Sequence, residues 1–200
     1  MLLLSSAAQS IYWLGRYLSR IQFACQMLPF EHDQDAEKFA NAFCLPAWDA
    51  NSLNAIYLDP EQPFSISTQF YNVQNNIQQL RAVLTPHAYS ELNQLTKLKD
   101  NQSESVCAVV GACAEVLEAE EEQVFLFYSL GREMEVLDQQ CRLEQVSENQ
   151  TEKVASILSI LDDNGWGSCE RTWSAFLEDQ SMSSLYNIND DISAKFEVCE

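Results

Sequence analysis

Several things are scarce in these 200 residues, and each scarcity excludes a class of function. There are five glycines, scattered, forming neither a Gly-x-Gly-x-x-Gly nor a Walker pattern, so no phosphate-cradling loop is present. Only two histidines occur, His32 and His87, and neither sits in a Glu-x-x-His arrangement, which removes the ligand set of a di-iron bundle. No Gly-x-Ser-x-Gly elbow is found. The seven cysteines form no Cys-x-x-Cys pair, against a zinc knuckle or thioredoxin-type site, and read as reduced, small apolar core residues of a cytosolic protein. Basic residues are few: 11 against 30 acids, a formal charge of -19. That balance repels nucleic acid and anionic membrane surfaces and leaves basic protein surfaces and cations as partners. No apolar run approaches the ~20 residues of a membrane span, and the start Met1-Leu2-Leu3-Leu4 lacks a basic leader region, so a cytoplasmic location is expected.

What is abundant is apolar residues at helical spacing. The apolar fraction of 46% supports a sizeable core. Leu4, Ala7, Ile11, Leu14, Leu18, Ile21, Cys25 and Leu28 recur in steps of three and four, a helical seam that Pro29 stops. A shorter helix is predicted over 31–43, then a long connector over 46–65, which holds three of the five prolines. Ser65 or Ser67 caps a helix carrying Phe70, Val73, Ile77, Leu80 and Leu84. Thr85-Pro86 opens another, predicted to reach Leu98 with Tyr89, Leu92 and Leu95 facing inward. After a polar stretch at 99–104, one very long helix is expected from about Ser105 towards Val146, with Glu120 interrupting its seam. Val154, Ile157, Leu158 and Leu161 mark a further helix, Gly165-Trp166-Gly167 a turn, and Trp173, Phe176 and Leu177 a last one. Residues 181–200 read as a frayed tail. Strand signals are scarce. The expected fold is all-α, an antiparallel helical bundle forming one domain over 1–200, with a first half at 1–98 and a second at 105–180. Charge is uneven between the halves: residues 1–100 hold 9 acids and 6 bases, residues 101–200 hold 21 and 5.

One repeat goes beyond patterning. Leu14-Gly15-Arg16 recurs 116 residues later as Leu130-Gly131-Arg132, with Tyr12-Trp13 before the first and Phe127-Tyr128 before the second. A glycine inside a helix costs about 1 kcal/mol relative to alanine, so two at matched places call for a shared cause. Close approach of two helices is that cause. The neighbouring arginines then reach carboxylates or helix C-terminal carbonyls.

Four motifs stand in order along the chain: Trp13-Leu14-Gly15-Arg16 with Arg20; the connector Leu58-Asp59-Pro60 to Ser65; Asn76, Arg81, Tyr89 and Asn93; and Gly131, Arg132, Glu135 and Asp138. In these the chain resembles the alpha-E family of bacterial helical proteins. It departs from the family pattern at Ser19 and Gln22, where acids are usual, and at Val136, where arginine is usual. The motif's reciprocal pairs are therefore split, with Arg20 kept on one copy and Glu135 on the other. The resemblance implies a partner: such proteins accompany circularly permuted ATP-grasp ligases and transglutaminase-like proteins. It points to a non-catalytic accessory role in making or processing a peptide-like product. No cofactor, catalytic residue or metal ligand is assigned. Two alternatives stand beside that expectation. One is a metal- or carboxylate-dependent hydrolase or transferase using Glu135, Asp138 and Arg16 or Arg132 in a bundle cleft. The other is a homo-oligomer burying exposed aromatics near Trp166 and Trp173. The acidic run Glu118, Glu120, Glu121, Glu122 points several ways round a helix and reads as a solvated face rather than a cation site. Glu135 and Asp138 read as an exposed pair or as partners of Arg20.

Overall fold

The computed structural model describes residues 3–97 and 103–197. Leu98, most of the polar stretch and Cys199 lie outside them. Ten helices and no strand occur among the described residues: α1 (Ser5–Met27), α2 (Asp33–Ala42), α3 (Ala50–Leu58), α4 (Ile66–Gln79), α5 (Pro86–Leu95), α6 (Ser103–Glu118), α7 (Glu122–Arg142), α8 (Glu148–Asp163), α9 (Glu170–Asp179) and α10 (Met182–Phe196). They divide into two compact units, Met1–Arg16 with Glu120–Glu200, and Tyr17–Ala119, and α1 contributes to both.

In the Tyr17–Ala119 unit, α6 packs on α4 and α5, and α2 on α3. Phe39 sits at the centre of an aromatic group, stacked on Phe43 at 4.5 Å and tilted against Phe30 at 5.1 Å. The expected caps hold: Ser65 accepts from the Thr68 N–H, and Thr85 from the Ala88 N–H, with Pro86 at the first helical position. The stretch expected as a connector contains α3 instead. Asp49 and Ser52 close a capping box, and Leu53, Ile56 and Tyr57 bury one face, which outweighs the prolines on either side. The expectation of seven reduced cysteines is also corrected, because Cys25 and Cys107 form a disulfide with Cα atoms 5.7 Å apart. Cys113, Cys141 and Cys169 are buried free thiols, as anticipated, while Cys44 is exposed.

In the other unit, α7 packs on α8 and α10, and α9 on α10. The long helix expected from Ser105 is two helices, α6 and α7. Glu121 is extended (ψ 151°) and precedes α7, and Glu122 occupies its first turn. Acids disfavour the negative C-terminal end of one helix and favour the positive N-terminal end of the next, so an acidic run is a physical stop-and-restart signal. The expected frayed tail is α10. Ser181 caps it, and Leu185, Ile188, Ile192 and Phe196 bury one face beneath a polar surface. The aromatics expected to be exposed are largely covered. Trp173 is buried against Phe176, and Trp166 stands edge-on to Phe127 at 4.7 Å. No described helix is long and apolar enough to cross a membrane.

Candidate functional site: a glycine crossing and a buried arginine

The repeat becomes a contact in the unit built from Met1–Arg16 and Glu120–Glu200. A Cβ placed on Gly15 would fall on the carbonyl oxygen of Tyr128 and 3.0 Å from the Arg132 nitrogen. A Cβ on Gly131 would fall on the carbonyl oxygen of Tyr12 and 3.2 Å from the Arg16 nitrogen. The pattern is reciprocal. Each glycine faces the tyrosine-to-arginine turn of the other copy, and these residues are equivalent at the same offset of 116 in sequence. Two helices therefore cross backbone to backbone, at a distance that admits only hydrogen on both sides. This is the shared cause that the matched glycines required.

Arg16 stands beside the crossing, one residue after Gly15. It is 6% exposed, and its guanidinium is enclosed by hydrogen bonds. Nε donates to Glu135 Oε2 at 2.8 Å and Nη2 to Asp138 Oδ2 at 3.2 Å. Nη1 donates to the Tyr12 hydroxyl at 3.2 Å and to Asn189 Oδ1 at 3.1 Å. These four bonds take up most of the group's five donors. The Tyr12 hydroxyl in turn donates to Asn189 Oδ1 at 3.3 Å, and the Trp13 ring lies 5.5 Å from the guanidinium carbon. The other oxygen of Asp138 accepts from Arg142 Nε at 2.9 Å, and Arg142 Nη2 donates to the Tyr186 hydroxyl at 3.2 Å. Two cations thus balance two carboxylates, a condition for keeping such charges out of water.

The electrostatics agree. Burial disfavours the charged form of Arg16, but Tyr12, Glu135 and Asp138 outweigh it, and its pKa is raised above the ordinary arginine value. Arg142 follows the same pattern through Asp138 and Tyr186. Burial pushes the Tyr12 phenol up, with Arg16 opposing.

Of the residues singled out by sequence, Trp13, Gly15, Arg16, Gly131, Arg132, Glu135 and Asp138 fall in this unit. Glu135 is buried rather than exposed, and its partner shown here is Arg16. Arg132, the counterpart of Arg16, is oriented differently. Its Nε donates to Glu133 Oε1 at 2.9 Å, and Glu133 also accepts from Gln150 Nε2 at 3.0 Å. The sequence explains the asymmetry, since the positions equivalent to Glu135 and Asp138 are Ser19 and Gln22. The remaining candidates lie in the other unit. Arg20 sits 6.0 Å from the Tyr17 ring, Arg81 is exposed, Asn76 buries an Nδ2 without a hydrogen-bond partner among the described residues, and Asn93 bonds Gln78 and the Tyr89 carbonyl. Tyr12 stands out in sequence only as an aromatic before the first glycine-arginine segment, and Arg142, Tyr186 and Asn189 join the cluster without a mark from any motif. The last two are on α10, whose residues carry no plain helical signal. Arg142 was findable at i+4 from Asp138.

Other chemistry finds little footing. No group of three or more His, Cys, Asp or Glu placed to hold a metal ion occurs among the described residues. His32 precedes α2 without a capping bond, and His87 is exposed beside Glu91.

No curated protein and no solved structure matches this chain. A family model described as a predicted alpha-helical domain with a conserved ER motif does match, over residues 3–188. That span takes in both glycine-arginine segments and nearly all of the helices that frame the arginine cluster, and the chain belongs to the Alpha-E family.

Proposed function

We propose that this chain is a non-catalytic accessory protein. It acts with an ATP-grasp-type amide ligase, or a transglutaminase-like protein, in making or processing a peptide-like product. The observation that carries this reading is the closed charge balance around Arg16. The ionic residues of the family motif, Arg16, Glu135 and Asp138, bond one another and Arg142, Tyr12 and Asn189. Neither carboxylate is presented as a base or nucleophile, because each accepts from a guanidinium. A catalytic site wants a group with unmet bonding capacity aimed into a cleft, and this cluster instead secures a helix crossing. The outward chemistry of the same unit is carboxylate: Glu148, Glu152, Asp162, Asp163, Glu170, Glu178 and Asp190 are all exposed. Such a surface attracts a basic face of a partner and accelerates encounter in a salt-dependent way.

Pull-down of the tagged protein from lysate of its source at low and at high salt tests the reading. Specific capture of a ligase or transglutaminase-like protein at low salt, weakened at high salt, supports it. Failure to retain any specific partner at low salt contradicts it.

A further inference from the structure

We propose that Cys25 and Cys107 are a reversible redox pair whose closure staples α1 to α6 and so sets the rigidity of the Tyr17–Ala119 unit. The two cysteines lie 82 residues apart in sequence with Cα atoms 5.7 Å apart, and both are partly exposed, so a small thiol or disulfide reaches them. Between them run α2, α3, α4 and α5, so the bond closes a loop around most of the unit. The other described cysteines are unsuited to this chemistry. Cys113, Cys141 and Cys169 are buried, the first and last with thiols pushed up to about 12 and about 11, and Cys44 has no disulfide partner among the described residues.

A small disulfide such as oxidised glutathione supplies the oxidising equivalents. The thiolate of one cysteine attacks it, forming a mixed disulfide and releasing one glutathione thiolate. The second cysteine, as thiolate, attacks the protein sulfur of that mixed disulfide, forming Cys25–Cys107 and releasing the other. The two protons given up by the cysteines end on the two glutathione thiols. A thiol-rich compartment reverses both steps and leaves the pair open. Closing a loop of this length removes chain entropy from the unfolded ensemble, corresponding to a shift on the order of a thousandfold in the unfolding equilibrium. The inference is independent of any partner: it concerns the unit that does not contain the arginine cluster.

The test uses the full chain equilibrated in oxidised or reduced glutathione. Alkylation and peptide mass mapping report the bond, and hydrogen exchange reports its consequence. The expected result is a linked Cys25–Cys107 peptide only in the oxidised sample. Exchange in residues 17–27 and in α6 should then quicken, by up to roughly a thousandfold at the slowest amides, on reduction. α8 and α9 should not respond. A Cys25→Ser/Cys107→Ser double variant should match the reduced protein in both buffers. Free, alkylated Cys25 and Cys107 in the oxidised sample, or exchange in α6 indifferent to the state of the pair, overturns the proposal.

Discussion

Replacing Gly131 with alanine probes the helix crossing at its tightest point. Two effects oppose each other. Alanine gains about 1 kcal/mol of helix propensity over glycine. Against this, the new methyl would land on the carbonyl oxygen of Tyr12, 2.9 Å from its carbon and 3.2 Å from the Arg16 nitrogen. The obstacles are all backbone, so no rotamer change relieves them, and the two helices must part. Overpacking of a rigid core costs roughly 1–3 kcal/mol even where side chains can move, and this case lies at or beyond the upper end. Parting the helices also lengthens the Arg16 bonds to Glu135 and Asp138, and charge-assisted bonds of this kind contribute about 1.5–3 kcal/mol each. The net expectation is a loss of about 3 kcal/mol, or roughly 6–12 °C in Tm for a chain of this size. Gly111 supplies the control. It lies within α6, and a Cβ added there would meet nothing within 4 Å, so Gly111→Ala should gain up to about 1 kcal/mol. Thermal and urea unfolding of the two variants, read side by side, decide the matter. If Gly131→Ala is as stable as wild type, or gains stability as Gly111→Ala does, the crossing is not where the structure places it.

Further expectations follow the same logic. Glu135→Gln leaves the Arg16 charge under-compensated in a buried site and should cost about 3–5 kcal/mol in urea unfolding, whereas an Arg16→Met/Glu135→Met pair should cost less than the sum of its two single variants. Ser65→Ala removes the cap of α4 and should cost about 1 kcal/mol by the same assay. The pH dependence has a definite sign. The thiol of Cys169 rises from 9.0 to about 11 in the fold, so the folded state holds a proton that the unfolded chain releases first, and that stability is lost as pH rises from about 9 to about 11. Tyr12, raised above 10.0, adds to the loss from pH 10 upwards. Midpoints from urea unfolding at pH 8, 9.5 and 11 should therefore fall, and Cys169→Ala should lessen the decline without abolishing it, because the buried Cys113 thiol, pushed up to about 12, contributes from about pH 9 as well.

The helices with plain signals are legible in sequence. α1, α4 and α5 follow from apolar spacing, Pro29, Ser65 and Thr85-Pro86, and the glycine crossing follows from the repeat. Three elements are not. α3 hides among prolines, because its Asp49–Ser52 capping box is a local hydrogen-bond pattern that composition does not reveal. α10 carries its apolar residues under so many acids and small polar groups that average character reads as a tail. The break between α6 and α7 lies in an acidic run whose effect depends on helix dipoles rather than on periodicity. For the cluster, the sequence supplies Arg16, Glu135 and Asp138 but not their pairing. Ion-pair partners 119 and 122 residues apart are set by tertiary packing, and Asn189 enters only because α10 is a helix. The disulfide escapes sequence reading for the same reason: a spacing of 82 residues carries no local sign of proximity.

Native mass spectrometry of the purified chain, alone and mixed with an ATP-grasp-type ligase, tests the proposed accessory role most directly. The account predicts a complex at modest ionic strength that dissociates as salt is raised, with neither metal nor nucleotide on this chain. Absence of a complex, together with a cation or nucleotide retained by the isolated chain, would contradict it and return Glu135 and Asp138 to consideration as reacting groups.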